Sequence, residues 1–103
     1  MPNFIIAYHG GKKFENPEEG AKHKEEWQTW ISNLGDAVVN PGNPLRNSKT
    51  VSADSVKDSH ESDLLTGYSI IKADSMDDAL EIAIECPFLV IGTIEVAEIM
   101  EMK

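Results

Sequence analysis

The sequence has one cysteine, few basic residues and no apolar run long enough to cross a membrane. Cys86 therefore cannot form a disulfide within the chain or supply a multi-thiolate metal site, which is typical of a reducing compartment. The longest apolar stretches, residues 4–8 and 88–91, have the length of strands. Pro2 and Asn3 do not begin a signal peptide, so we expect a cytoplasmic protein with no membrane partner.

Basic residues are scarce: nine Lys and Arg stand against 18 Asp and Glu, and the net charge is −9. A field of that sign repels phosphate backbones, so we expect no nucleic-acid partner. The 103 residues, 41% of them hydrophobic, suit one compact domain over residues 1–103. The three histidines, His9, His23 and His60, lack a metal-ligand spacing. We therefore expect no metal and no cofactor.

Residues 3–9 form an apolar run with β-branched and aromatic members, and Gly10 and Gly11 end it. This pattern predicts a strand. Both alternating sets are apolar, with Phe4, Ile6 and Tyr8 on one side and Ile5 and Ala7 on the other. Neither face of this strand suits open water, so another layer must cover each of them.

Asn16, Pro17 and Glu19 combine three signals of a helix start. The apolar residues that follow have helical spacing: Trp27, Trp30, Ile31 and Leu34. They predict a helix over residues 17–34, ended by Gly35. His23 lies one turn before Trp27 on the same side, and we expect Trp27→Ala to cost about 3–5 kcal/mol of stability.

The rest of the chain predicts two further strands, a second helix and a last strand. In chain order these are a short edge strand at 36–40, a polar loop at 46–62 with a small hairpin around 53–55, a strand at 64–73, a helix capped by Ser75 and stopped by Pro87, and a strand within 88–102. The order βαββαβ is that of the ferredoxin-like α+β fold. Right-handed crossovers place both helices on one face of a four-stranded antiparallel sheet. We expect a second copy to cover the other face, giving a homodimer through the sheet faces.

A resemblance to a known family rests on several segments in one order: residues 64–71, 73–81 and 85–87, with Gly92 and residues 95–99. With the first strand, the first helix and Asn-Pro-Gly-Asn-Pro at 40–44, they make the chain similar to the YCII-related family, including its DGPF branch. The DGPF residues themselves are absent, because Ser59, His60 and Glu61 follow Asp58.

The resemblance implies a dimeric α+β barrel in which two protomers place their sheets face to face. Some members of the wider family are lyase-like enzymes that act on small ring compounds. They use a His on the first helix and an Asp near the end of the second as an acid–base pair. His23 matches that His, whereas Cys86 stands where the Asp would be and Glu85 is the nearest acid.

Each candidate residue has a functional and a structural interpretation. His23 is either a general base in a cleft beside Trp27 or a packed, hydrogen-bonded helix residue. His9 either contacts a ligand or anchors a loop, and Tyr8 is an alternative polar contact for the ligand. Trp27 either stacks on a ring ligand or belongs to the core, and the same two interpretations apply to Trp30.

Three weaker candidates have structural interpretations that we prefer. Gly10 and Gly11, followed by Lys12 and Lys13, lack the spacing of a phosphate loop. Cys86 lies at the negative end of a helix dipole, which favours a buried thiol over a nucleophile. His60 lies in a polar loop and is expected to be solvated.

Two functions remain open. The first is a cofactor-free lyase or isomerase of a small organic ligand, with His23 as acid–base and His9 or Tyr8 as a second polar contact between helix and sheet. The second is a non-catalytic small-molecule-binding or accessory dimeric module. A pocket of roughly 300 Å³ or more with His23 facing it favours the first, and a filled interior with His23 bonded to backbone favours the second.

Overall fold

A computed structural model describes residues 1–11, 14–58 and 64–100 of the chain. The strands are β1 (Asn3–Gly10), β2 (Val38–Asn40), β3 (Lys49–Val51), β4 (Val56–Asp58), β5 (Leu65–Lys72) and β6 (Gly92–Glu98), and the helices are α1 (Pro17–Leu34) and α2 (Met76–Ile84). Two short 3-10 turns cover Gly35–Ala37 and Pro87–Val90. The element order confirms the predicted α+β fold.

The main sheet has the strand order β2-β5-β1-β6 with antiparallel neighbours throughout, which is the ferredoxin-like arrangement. The short strand β2 lies at an edge, as its prolines predict. Strands β3 and β4 form a separate hairpin. The smallest dimension of the molecule is 19 Å, which corresponds to one sheet and one helical layer.

Both helices begin at the side-chain caps that the sequence predicts. The Asn16 Oδ1 accepts a hydrogen bond from the Glu19 backbone N–H at 2.9 Å, and Glu19 in turn accepts from the Glu15 N–H at 3.2 Å. In α2 the Ser75 hydroxyl oxygen accepts from the Asp78 N–H at 3.2 Å. The cap at Asn16 fixes where α1 starts, and therefore which side chains it turns toward the sheet.

The core lies between the helices and one face of the sheet. Phe4, Ile6 and Ile71 are fully buried there, and Trp30 of α1 and Ala79 of α2 pack against them. The alternate set of β1 faces the other way: Ile5 and Ala7 are half-buried and lie outside this core. The strand therefore has two apolar faces, of which the helices cover one.

One boundary differs from the sequence prediction. The second strand is confined to Val38–Asn40, because a 3-10 turn at Gly35–Ala37 still belongs to the end of α1. The last strand runs from Gly92 to Glu98, within the predicted range, and the 3-10 turn that Pro87 starts precedes it. Neither helix is long and apolar enough to span a bilayer, within the residues that the structure describes.

Candidate functional site

A pocket of about 460 Å³ opens between the first half of α1, the helix-facing side of the sheet and two connecting segments. We call it the aromatic pocket. Its lining residues are Tyr8, His23, Lys24, Trp27, Gly42 and Phe88, together with Pro41, Asn43, Pro44, Thr66, Gly67, Tyr68 and Ile91. The structure thus brings together three of the four predicted site residues, namely Tyr8, His23 and Trp27.

Aromatic rings form a continuous wall of this pocket. The Tyr8 ring lies 5.1 Å from that of Phe88 and meets Trp27 edge-on at 6.5 Å. Tyr8 is buried, whereas Trp27 and Phe88 are half-buried and turn part of their surface to the cavity. Such a wall offers π-faces and edges to a planar ligand.

The Tyr8 hydroxyl belongs to a hydrogen-bond chain with a defined direction. The Ser69 hydroxyl donates to the Pro41 carbonyl at 2.8 Å, which uses the single proton of Ser69. Tyr8 must therefore donate to the Ser69 oxygen, also at 2.8 Å, while the Trp27 Nε1–H donates to the Tyr8 oxygen at 3.3 Å. Burial raises the pKa of Tyr8, so the phenol stays protonated at neutral pH. Its oxygen can accept a further hydrogen bond, but its proton is already engaged.

His23 is half-buried at the rim of the pocket, between two phenylalanine rings. Its imidazole lies 5.3 Å from the Phe14 ring and 6.4 Å from the Phe88 ring. Among the described residues none forms a hydrogen bond or ion pair with the imidazole. His23 is therefore held by ring contacts, which leaves its nitrogens available to a ligand. The pocket volume and this setting meet the sequence criterion for the catalytic interpretation.

The loop at residues 40–44 closes the side of the pocket opposite α1. It is attached to β5 by the Ser69–Pro41 hydrogen bond and by a bridge between Pro44 and Gly67. At Gly42, φ is +82°, and an added Cβ would lie 1.6 Å from the Tyr68 carbonyl oxygen. Only glycine fits there, so this wall has a fixed backbone path.

The structure corrects the predicted placement of His9. Successive side chains of a strand point to opposite faces, so Tyr8 and His9 cannot face the same pocket. His9 lies on the open face of the sheet, where its Nε2 is 3.2 Å from the Glu95 Oε1. His9 therefore does not line the aromatic pocket, and its contact with a ligand stays a prediction.

The position where the resemblance places an acid holds a buried thiol. Cys86 is 3% exposed, and burial raises its pKa to about 11, so it stays neutral and is no substitute for a carboxylate. Glu85 does not replace it either, because it lines a different cleft. The predicted preference for a buried, unreactive cysteine agrees with this environment.

A second, wider cleft of about 680 Å³ separates α1 from α2, and we call it the acidic cleft. Its carboxylates are Glu26, Asp78, Glu81 and Glu85, and its remaining lining residues are Thr29, Trp30, Asn33, Leu34 and Ile82. Trp30 is buried, as its core interpretation predicts, and its Nε1–H has no partner in the described part of the chain.

Sequence reasoning missed Phe88, Lys24 and the loop as parts of the site. Phe88 reaches the pocket because Pro87 starts a 3-10 turn after α2, and proline at a helix start is a recognisable signal. Two interpretations stay untested, since His60 and the pair Lys12 and Lys13 lie outside the described residues. No three His, Cys, Asp or Glu side chains come together as a metal set within residues 1–11, 14–58 and 64–100.

The family model of the YCII-related domain matches residues 5–103, nearly the whole chain. The chain belongs to the YCII-related family. A solved structure with the same fold is the 5-chloro-2-hydroxyhydroquinone dehydrochlorinase TftG from Burkholderia phenoliruptrix AC1100, in complex with 2,5-dihydroxybenzoquinone. The TM-score is 0.62 at 14% identity, over 97% of this chain and 95% of that one. No curated protein matches the sequence.

The family and this structural neighbour establish the fold and leave the activity open, since one fold supports many chemistries. The function of this chain therefore has to be inferred from the residues around the aromatic pocket.

Proposed function

We propose that this YCII-related protein binds a small ring compound in the aromatic pocket and acts on it as a cofactor-free lyase or isomerase. The observation that carries the proposal is the convergence of Tyr8, His23 and Trp27 on one cavity of about 460 Å³. Phe88 and Trp27 would lie against the ring. His23 is the histidine at the rim, and its nitrogens have no partner in the described residues.

In this proposal His23 transfers the proton. A neutral imidazole at the rim accepts a proton from a ring carbon or hydroxyl and returns it to another atom or to the leaving group. The Tyr8 oxygen accepts a hydrogen bond from a ligand hydroxyl, because its own proton is engaged with Ser69. Phe14 and Phe88 hold the imidazole in place of a carboxylate.

A non-catalytic binding module is the second candidate, and one observation favours it. Within the part of the chain that the structure describes, no aspartate or glutamate lines the aromatic pocket. His23 therefore has no carboxylate to orient it or to stabilise an imidazolium, which lowers its power as a base. In this alternative the same pocket holds a ring metabolite without converting it.

The test measures ligand binding in the pocket and conversion of the ligand on the same sample. Hydroxylated quinones, including 2,5-dihydroxybenzoquinone, and hydroxybenzoates are added to labelled protein, and NMR follows the Trp27 indole N–H. Chromatography of the same mixtures detects conversion. We expect at least one compound to shift the Trp27 signal and to be converted by the wild type.

His23→Gln should abolish conversion and keep the free energy of unfolding within about 1 kcal/mol, because no hydrogen bond is lost. Lys22→Gln, on the exposed side of α1, is the matched control and should convert at the wild-type rate. Binding without conversion by any compound establishes the binding module instead. No shift by any compound rejects the pocket as a ligand site, and a large stability loss in the His23 variant makes it a structural residue.

We also propose that the protein is a cytoplasmic homodimer through the open sheet face. Ile5, Ala7 and Ile70 give this face an apolar centre that the helices do not cover, and its buried free cysteine suits a reducing compartment. Sedimentation at micromolar concentration should give twice the 11.4 kDa of the chain. Ile70→Lys should give the monomer, and a wild-type monomer would reject the proposal.

A further inference from the structure

The aromatic pocket differs in charge from the molecule around it. The chain carries 18 acidic residues and a net charge of −9, yet no Asp or Glu among residues 1–11, 14–58 and 64–100 lines this cavity. The ionisable side chains at the rim other than Tyr8 and Tyr68 are Lys24 and His23. The described rim of this cavity thus carries basic and no acidic side chains in a protein whose net charge is negative.

Lys24 stands out against the other lysine of the same helix segment. Lys22 has a glutamate at each helical neighbour position, namely Glu18, Glu19, Glu25 and Glu26. The corresponding neighbours of Lys24 are Gly20, Ala21, Trp27 and Gln28, none of which carries a charge. No ion pair involves Lys24 among the described residues. The charge of Lys24 is therefore left for something outside the helix.

The negative field of this protein would repel an anion from most of its surface. A ligand with a negative group gains from a site only where nearby positive charge offsets that field and acidic side chains stay away. The rim at Lys24 meets both conditions, and it lies one helical turn from Trp27, whose ring would lie against the body of a planar ligand.

We infer that the ligand of the aromatic pocket is an anionic ring compound, a ring carboxylate or phenolate, and that Lys24 contacts its negative group. This inference rests on the proposed function, since it names the chemical class of the molecule in the same pocket. Lys24 is a specificity-determining residue here, because it distinguishes a charged ring from its neutral isostere, while His23 keeps the chemical role.

Matched pairs of ring compounds provide the test. Benzoate and 2,5-dihydroxybenzoate are compared with benzamide and 2,5-dihydroxybenzamide, each titrated against the wild type while NMR follows the Trp27 indole N–H. We expect each carboxylate to bind about fivefold more tightly than its amide. This preference should shrink as the salt concentration rises, because the interaction is between charges at the surface.

Lys24→Met keeps an unbranched side chain, one atom shorter, and removes its charge. It should abolish the preference for the carboxylate and leave the binding of the amides unchanged. Lys22→Met is the matched control: it removes the same charge from the same helix and should keep the preference. A melting curve for each variant shows whether it is folded before binding is compared.

The possible outcomes distinguish failure of this inference from failure of the proposed function. Equal binding of acid and amide by the wild type, or a preference that survives in Lys24→Met, rejects the anionic ligand and keeps the ring pocket. A preference lost equally in both lysine variants also rejects it, because the effect is then one of total charge. If no carboxylate or amide shifts the Trp27 signal, the inference fails, and the quinones of the earlier experiment decide whether the ring pocket fails too.

Discussion

The two clefts beside α1 share a helix and differ in almost everything else. The aromatic pocket, beside the first half of the helix, is lined by Lys24 and His23 and by no carboxylate of the described residues, and it has a tryptophan whose N–H is bonded to Tyr8. The acidic cleft, toward the second half, has four carboxylates and a buried tryptophan whose N–H has no partner in the described chain. The two clefts thus differ in charge, because α2 and its C-cap supply three of the four carboxylates of the acidic cleft.

The difference shows that cavity size alone does not locate a site. The acidic cleft is the larger of the two, about 680 against 460 Å³, but its charged groups are all acidic and no described histidine lines it. The aromatic pocket is smaller and combines apolar walls with a few polar groups of different kinds, as ligand sites do. Changes at matching positions in the two clefts test this distinction.

The largest effect is expected at the two tryptophans. Trp30 is 8% exposed and packs in the core, so Trp30→Ala should lower the free energy of unfolding by about 3–5 kcal/mol. Trp27 is half-buried, and Trp27→Ala should cost about 2 kcal/mol, less than its place in the helix stripe suggests. Urea unfolding of the two variants measures both values. Equal losses would show that Trp27 is a core residue and that its pocket is closed.

The next largest effect is expected at two glycines, Gly42 and Gly35, which differ in how closely other atoms approach them. Gly42→Ala forces a Cβ against the Tyr68 carbonyl at a φ of +82°, and should cost about 3 kcal/mol and move the pocket wall. Gly35, at the end of α1, also has a positive φ of 55°, but nothing lies within 4 Å of an added Cβ. Gly35→Ala should therefore cost about 1 kcal/mol, for backbone strain alone. Similar losses in thermal or urea unfolding would contradict the account of a fixed loop.

Much of this fold is predictable because local rules agree with tertiary packing. The caps at Asn16 and Ser75, the stripe on α1 and the edge position of β2 follow from residue type and spacing. The site is less predictable, because its walls come from segments distant in sequence. The placement of His9 in the same pocket as Tyr8 is avoidable, since strand alternation separates the two side chains.

Phe88 and the loop at residues 40–44 could not be assigned in this way. Their place depends on how a 3-10 turn and a proline-rich segment pack against the sheet, and spacing along the chain does not determine such packing. The hydrogen-bond chain through Ser69 is likewise visible only once β5 and the loop are side by side.

Ser69 connects the interior to the pocket wall and gives the third prediction. It is fully buried and bonds both Tyr8 and Pro41, so Ser69→Ala leaves a donor and an acceptor unpaired and should cost about 1–3 kcal/mol. Tyr8→Phe removes the other end of the same bond. Urea unfolding of both single variants and the double variant should give a coupling of about 1 kcal/mol. If the effects of the two single variants add exactly in the double variant, the hydrogen-bond chain through Ser69 does not hold the loop at residues 40–44.

The smallest effect is expected at Cys86, which lies between Glu85 of the acidic cleft and the segment that carries Phe88 to the aromatic pocket. Burial raises the pKa of this thiol from 9.0 to about 11, so above pH 9 the unfolded chain loses the proton before the folded one does. Stability is then complete below pH 9 and falls as the pH rises toward 11, by about 1–2 kcal/mol. The free energy of unfolding, measured in urea at pH 8.5 and 10.5, should fall less for Cys86→Ala than for the wild type. A cavity left by the substitution lowers both values of the variant equally and does not affect this comparison. Equal losses in the two proteins would mean that the thiol is solvated and that the two clefts meet at this residue.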